Sequence, residues 1–299
     1  MFRFSLLLLA GGLLLELFFR VVPNHYSVKD KIIHQNYATA EVLLFGNSHS
    51  FYGFNPKYFN TLAVNLANIS QSLYFYELLI NKYLDSFPKV KTIVLNIDYF
   101  TLSQVDNEEQ DRWRKYYYSI YMNLDVPIVS KYDYKSYSVV LATEPVILNT
   151  TLRRLVKEHT IVECDEMGWG KNPSTAPVLN NLALGKTRVK QHEYGTMDFS
   201  SNLKRLNRII TKCSKRDLKV VLVTMPVMEY YYKSVKKNKL RKIQNNCKDL
   251  SLISNVYYLN LFSDSRFTHE DFYDTDHLNA NGATKCSRIL DDYLKTINN

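Results

Sequence analysis

Two short segments near opposite ends of the chain carry side chains whose types and spacing suit nucleophilic acyl transfer. In "FGNSHS" (45–50), Ser48 follows directly after an apolar run. In "DTDH" (274–277), Asp274 stands three residues before His277. Side chains three residues apart in a turn lie on the same face, so Asp274 can accept the Nδ1 proton of His277 and leave Nε2 facing a hydroxyl. The pattern predicts Ser48 as nucleophile, His277 as general base and Asp274 as the orienting acid.

Such a triad needs a fold that brings the two segments together, and the apolar pattern predicts one. Buried-strand patterns occupy 42–45, 92–97, 220–224 and 256–261. Three of them are rich in Val, Ile or Leu without alternation, which is typical of parallel strands covered on both faces. Helical patterns occupy 72–87, 202–216 and the segment from 280 onward. We therefore predict a three-layer α/β/α fold with a mainly parallel sheet, whose strands share one carboxyl edge.

Gly-x-Ser near the start of this pattern and Asp-x-x-His near its end resemble the SGNH (GDSL-type) hydrolase superfamily, over about residues 40–298. The nearest members are membrane-anchored envelope proteins of the DltD-like and alginate-acetylation type. The resemblance implies a flavodoxin-like α/β/α fold and a reaction without metal or organic cofactor. It gives Ser48, His277 and Asp274 the three triad roles. It also implies that the Ser48 N–H and a donor near Asn68 bind the oxyanion.

The sequence departs from the pattern of this family at three places. Asn47 precedes the serine where the family usually has Asp. The second family block supplies a glycine N–H to the oxyanion, but "NLANISQS" (65–72) contains no glycine, so we expect a backbone N–H of Asn68 or Ser70 to serve instead. The third block, Gly-x-Asn-Asp, is replaced by "LNIDYF" (95–100). Because one oxyanion donor is worth about 10²–10³ in rate, these departures bear on activity.

Several residues beside the motifs have two interpretations. Asp276 competes with Asp274 as the orienting acid, but a residue adjacent to His277 would usually point away from it, as a helix cap or an exposed charge. His49 follows the serine and either packs at the start of a helix or contacts substrate. Trp113, with Arg112 and its neighbour Arg114, either lines a glycan cleft or packs on a helix with an exposed charged face.

The apolar N-terminal segment predicts a membrane anchor. Residues 4–19 are apolar apart from a serine and a glutamate, and a helix of this length covers about 24 Å of the roughly 30 Å hydrocarbon core. No lipoprotein cysteine or clear cleavage site follows. We predict an anchor or signal segment over 1–22, a connector over 23–39 and an SGNH-like domain over 40–299 with an insertion around 100–200. A cleaved signal peptide and a buried amphipathic helix are the alternatives.

The net charge indicates which classes of partner the protein could bind, and the cysteine spacing bears on zinc binding and disulfides. A net charge of +9 suits an anionic glycan, a lipid surface or a nucleic acid. The basic residues are scattered and accompany no nucleic-acid motif, and the N-terminus is of the exported type, so nucleic acid is disfavoured. The four cysteines show no Cys-x-x-Cys spacing, which disfavours zinc, and in an exported protein they allow three full disulfide pairings.

We therefore predict a serine esterase or O-acyltransferase that acts outside the cytoplasm on a cell-envelope polysaccharide or acylated glycan. The resemblance suggests a multi-spanning acyltransferase as partner. The alternative is a catalytically silent protein of the same fold that binds glycan or scaffolds an envelope biosynthesis complex.

Overall fold

The computed structural model describes residues 2–104, 112–172, 180–193 and 196–298. They form two compact units. One unit comprises 1–31 and 107–163, and the other comprises 32–106 and 164–299. The unit boundaries thus fall within the segment predicted as an insertion around 100–200 and within the N-terminal part of the chain.

Twelve α-helices and five strands are identified in the described residues. The helices are α1 (Phe2–Val21), α2 (His25–Asn36), α3 (Ser48–Gly53), α4 (Leu73–Tyr83), α5 (Arg114–Met122), α6 (Val139–Ala142), α7 (Pro145–Glu158), α8 (Leu182–Gln191), α9 (Ser200–Ser214), α10 (Glu229–Tyr232), α11 (Lys237–Leu250) and α12 (Ala280–Asn298). The strands are β1 (Val42–Phe45), β2 (Ala63–Asn65), β3 (Thr92–Asn96), β4 (Lys219–Thr224) and β5 (Val256–Asn260).

The five strands form one parallel sheet in the order β2-β1-β3-β4-β5. The four predicted strand patterns are confirmed, and β2 adds a short strand from the strand-like segment before Asn68. Every residue of β1, β2 and β3 is buried, as expected where helices cover both faces of a parallel sheet. The predicted α/β fold with a parallel sheet is therefore confirmed.

Apolar side chains from the sheet and from α12 form a hydrophobic core in the unit that comprises 32–106 and 164–299. Leu44, Val94, Val221 and Leu290 belong to it, and each is fully buried. Burying a side chain of this size stabilises the fold by about 1.5–3 kcal/mol. The packing fixes the sheet beneath α12 and thereby fixes the positions of the loops that leave its carboxyl edge.

The N-terminal unit contains α1, in which the apolar side chains from Leu9 onward are largely exposed. Leu9, Leu13, Leu14 and Val21 are each more than 60% exposed. Within the part of the chain that the structure describes, no helix combines the length and apolarity needed to cross a bilayer. The predicted N-terminal membrane anchor helix is therefore not supported by the structure.

Three of the four cysteines form no disulfide bond. Cys213, Cys247 and Cys286 are free thiols in buried positions, so none of the three full pairings is formed. Burial raises the pKa of Cys213 and that of Cys247 to about 12. These thiols behave as small apolar core side chains.

Candidate active site

Ser48 lies in a strand-turn-helix at the carboxyl end of β1. Asn47 caps α3, because its backbone is extended and its side chain accepts a hydrogen bond from the His49 N–H at 2.8 Å. Gly46 is required at the turn, since a Cβ there would lie 2.3 Å from Ser50 Cβ. Ser48 is the first residue of the helix and is only half-buried, so its hydroxyl is presented at the strand tip.

The other end of α3 is held by Asn65, the last residue of β2. Its side-chain amide donates to the carbonyl of Ser50 at 3.0 Å and to that of Phe54 at 2.8 Å. The Phe54 carbonyl follows the last turn of the helix, where acceptors lack intrahelical partners, whereas the Ser50 carbonyl also accepts the Phe54 N–H at 3.0 Å. The sequence analysis did not single out Asn65. Its position at the end of a buried strand is the feature of the sequence that could have marked it.

Ser48, His277 and Asp274 meet at this edge of the sheet. Ser48 Oγ lies 2.9 Å from His277 Nε2, and His277 Nδ1 lies 2.9 Å from Asp274 Oδ2 and 3.0 Å from Oδ1. The structure therefore brings together all three residues predicted for the triad. The arrangement allows proton transfer from the hydroxyl to an imidazole whose tautomer is fixed by the carboxylate.

Asp274 is oriented by its own loop. Its Oδ1 accepts the backbone N–H of Asp276 at 3.0 Å and that of His277 at 2.7 Å. Burial raises the pKa of Asp274, but the attraction of His277 and the hydrogen bonds outweigh it and hold the pKa below its ordinary value. Asp274 is thus kept as a carboxylate facing the imidazole.

The prediction for Asp276 is wrong. Instead of capping a helix or facing solvent, Asp276 is 1% exposed and lies 3.1 Å from His49 Nε2. Burial raises its pKa, but His277, His49 and His192 outweigh that effect and hold it well below the ordinary value. Asp276 therefore belongs to a buried charge cluster behind the triad.

His49 likewise does not line a substrate cleft. It is 2% exposed, and both of its ring nitrogens face carboxylates. The prediction of a substrate contact is wrong, and the alternative, packing at the helix start, describes the position better. The carboxylate partners were not anticipated because Asp98 and Asp276 lie far from His49 in the sequence.

Arg188 is a residue that the sequence analysis missed. It projects from α8, with Nε 3.0 Å from Asp276 Oδ1 and Nη2 3.4 Å from Asp274 Oδ2. Gly185 allows α8 to approach α10 closely, because a Cβ there would lie 2.3 Å from the Tyr230 carbonyl oxygen. No local motif marked this arginine, since its partners are on a distant loop.

The oxyanion donors differ from the expectation. The Ser48 N–H opens α3 and has no intrahelical acceptor. The Asn68 N–H donates to the Gly46 carbonyl at 3.1 Å, so the predicted backbone donor at Asn68 is wrong. The same hydrogen bond places Asn68 beside the serine turn, so its side-chain amide is a candidate donor, and the Ser70 N–H, the other predicted donor, remains a prediction. Asn96 of the third block is engaged elsewhere, as its amide donates to the Val223 carbonyl.

Two groups of three side chains in the described residues have donor atoms within 4.8 Å of one another, as a metal site would require. They are His49, His192 and Asp276, and Asp274, Asp276 and His277. In both groups the donors already face each other, since the imidazoles contact the carboxylates. This arrangement suits a proton relay and its charge support.

Arg112 and Trp113 belong to the N-terminal unit. The Trp113 ring packs against Tyr117 at 4.6 Å, and the Arg114 guanidinium lies over it, also at 4.6 Å. These contacts fit the packing interpretation. The substrate contacts proposed for Arg112 and Trp113 remain predictions.

Lowering the pH should destabilise the fold through His192. Burial lowers the pKa of His192 to about 3, and repulsion from His49, Arg188 and His277 adds to this effect, whereas the attraction of Asp276 opposes it. The Tyr231 Oη lies 2.8 Å from Nδ1 of His192. The unfolded chain binds a proton near pH 6.5 that the folded chain does not, so stability falls between pH 6.5 and 3.

We expect His192→Gln to reduce the slope of unfolding free energy against pH by about 1.4 kcal/mol per unit between pH 5.5 and 4. Urea denaturation at a series of pH values measures it. His269→Gln, at an exposed histidine, is the matched control. An unchanged slope in His192→Gln would show that His192 is not held neutral.

Comparison with known proteins gives structural resemblance only. No family model and no curated protein matches the sequence. A Streptococcus pneumonia protein provisionally assigned as a platelet activating factor is 15% identical, with a TM-score of 0.45 over 98% of this chain and 99% of its own. A GDSL-like lipase from Bacteroides thetaiotaomicron is 10% identical, with a TM-score of 0.42 over 91% and 99%. An acetyl xylan esterase from Butyrivibrio proteoclasticus is 10% identical, with a TM-score of 0.36 over 87% and 64%. At these values the resemblances assign neither substrate nor mechanism to this chain.

Proposed function

We propose that the protein is a serine esterase or O-acyltransferase of the SGNH type. The observation that carries the proposal is the relay from Ser48 Oγ through His277 to Asp274, with each step between 2.9 and 3.0 Å. Ser48, His277 and Asp274 are each only partly buried.

In the first half-reaction, Ser48 Oγ attacks the carbonyl carbon of an ester while His277 Nε2 takes the hydroxyl proton. Asp274 stabilises the imidazolium that forms. The Ser48 N–H and the Asn68 side-chain amide bind the negatively charged oxygen of the tetrahedral intermediate. Collapse of the intermediate breaks the ester bond, and His277 returns its proton to the departing alkoxide.

In the second half-reaction, His277 removes a proton from water or from a sugar hydroxyl, and that oxygen attacks the acyl-Ser48 carbonyl. Collapse of this second intermediate breaks the bond between the acyl carbon and Ser48 Oγ, and His277 returns its proton to Ser48. Water gives hydrolysis, whereas a sugar hydroxyl gives acyl transfer. The same residues serve both outcomes, because only the acceptor differs.

The substrate and location also belong to the proposal. We propose an acylated cell-envelope polysaccharide as substrate, with the protein outside the cytoplasm beside a membrane and working with a multi-spanning acyltransferase. The net charge of +9 and the exposed apolar side chains of α1 support this placement. Fractionation of cells that express the full chain, followed by protease treatment of intact cells, tests it.

A fluorophosphonate probe tests the nucleophile. We expect the wild-type protein to be labelled at one site, and Ser48→Ala to lose the label and the hydrolysis of p-nitrophenyl acetate. Ser50→Ala is the matched control, since Ser50 lies two residues away in α3 and is fully buried. Labelling that persists in Ser48→Ala would contradict the proposal.

The catalytically silent alternative draws support from the amides of the missing family blocks. The Asn68 N–H and the Asn96 side chain donate to backbone carbonyls and not toward Ser48. If folded wild-type protein neither reacts with the probe nor hydrolyses p-nitrophenyl acetate, glycan binding measured by calorimetry becomes the relevant assay.

A further inference from the structure

Behind the triad lies a cluster of charged side chains whose centre is His49. The cluster comprises the buried residues His49, Asp98 and Asp276, together with the partly exposed Arg188. We propose that His49 is a positioning residue: a permanently charged imidazolium that ties the turn carrying Ser48 to the loop carrying Asp274 and His277. This inference rests on the proposed function.

His49 connects three parts of the fold that are remote in sequence. Its Nδ1 lies 2.7 Å from Asp98 Oδ2, beyond the end of β3, and its Nε2 lies 3.1 Å from Asp276 Oδ2, between Asp274 and His277 in sequence. At 2.7 Å, the contact between Nδ1 and the Asp98 carboxylate has the distance of a close ion pair. Since His49 adjoins Ser48, these contacts fix the distance between the nucleophile and the base.

The protonation state follows from the partners. A neutral imidazole has a lone pair on one ring nitrogen, which would face a carboxylate oxygen and repel it. With carboxylates at both nitrogens, only the doubly protonated ring is attracted at each end. Burial lowers the pKa of His49, but Asp98 and Asp276 outweigh it and raise the pKa to about 10.

Asp98 is fixed as an acceptor by further donors. Its Oδ1 accepts the Met225 N–H at 2.9 Å, and its Oδ2 accepts the Asn47 side-chain amide at 3.2 Å. Asn47 is also the cap of α3. The cluster therefore holds the start of the nucleophile helix through both Asn47 and His49.

The cluster also balances charge around the general base. The carboxylates Asp274, Asp276 and Asp98 face two cations, His49 and Arg188, so the site carries one unbalanced negative charge while His277 is neutral. That charge is compensated when His277 takes the Ser48 proton. The His49 and His277 rings are 5.1 Å apart at 84°, close enough for the His49 charge to act on the base.

Removing the His49 charge should therefore favour the protonated, inactive form of His277. We expect the half-maximal pH of fluorophosphonate labelling in His49→Gln to rise by about one unit, so that the labelling rate at pH 7 falls by up to about tenfold. In the double variant His49→Gln/Asp98→Asn, one cation and one carboxylate are lost together. Most of the upward shift should then reverse.

His34→Gln, a change at a histidine of α2 whose ring packs against Tyr37 and Tyr83, should leave the labelling profile as in the wild type. Near-UV circular dichroism confirms that each variant is folded before its rate is compared. An unchanged pH midpoint in folded His49→Gln, or an equal shift in the double variant, would overturn the proposal, because a merely structural residue predicts no compensation by Asp98→Asn.

A spectroscopic measurement separates this inference from the proposed function. In the ¹⁵N spectrum of histidine-labelled full-length protein, one imidazole should keep the signature of two N–H groups through pH 9, and its signals should be absent in His49→Gln. If the wild type does not react with the probe, the proposed function fails, while the spectrum still decides the state of His49. A singly protonated His49 at pH 8 would contradict the inference directly.

Discussion

Replacing His277 with glutamine should lower p-nitrophenyl acetate hydrolysis by about 10⁴–10⁶, because it removes the only group that contacts Ser48 Oγ and can take its proton among the residues that the structure describes. Asp274→Asn should cost about 10⁴, since an amide facing Nδ1 favours the wrong imidazole tautomer. Initial rates under saturating ester measure both effects.

The three side chains should act as a unit. We expect the double variant Ser48→Ala/His277→Gln to be no slower than Ser48→Ala alone, because each change already removes the relay. His269→Gln provides the matched histidine control outside the site. If His277→Gln retains more than a tenth of the wild-type rate, His277 is not the base.

Replacing Gly46 with alanine should also have a large effect. Its Cβ would lie 2.3 Å from Ser50 Cβ and 3.0 Å from Asn96 Cβ, so α3 must move away from β3. Overpacking of this kind costs about 1–3 kcal/mol, and a displacement of about 1 Å at the nucleophile costs about 10² in rate. We expect both losses in Gly46→Ala.

A second change should restore the space. In Gly46→Ala/Ser50→Gly the clashing Cβ of residue 50 is gone, at a cost of about 0.5–1 kcal/mol for a glycine in a helix. We expect most of the lost rate to return, as measured by probe labelling beside thermal unfolding of each variant. Ser50→Gly alone isolates the helix cost. No recovery in the double variant would show that the space at Gly46 does not position Ser48.

The strands of the sheet could be predicted from the sequence, because a buried strand appears as a continuous apolar run. Continuous apolar runs such as 92–97 and 220–224 predict strands covered on both faces, and the structure confirms β3 and β4 there. β2 was recognised only as strand-like, since three residues give too short a run for a periodic signal.

The convergence of Ser48 with His277 also followed from the sequence, because parallel strands place their carboxyl ends at one edge. Ser48 follows β1 and Asp98 follows β3, the neighbouring strands at which the strand order reverses. That reversal opens the crevice where ligands bind in such sheets. The residue types of the two motifs indicated the reaction, and the parallel topology indicated that the motifs meet at the carboxyl edge of the sheet.

What the sequence by itself determined is thus the parallel α/β sheet and the identity of a serine, a histidine and an aspartate suited to one relay. Only the tertiary structure decided that His49 and Asp276 face each other, that Arg188 reaches both carboxylates of the loop, and that the Asn68 N–H is already used. The physical reason is range: strand burial and i,i+3 spacing are local properties, whereas charge pairing and hydrogen-bond competition depend on which distant segments pack together.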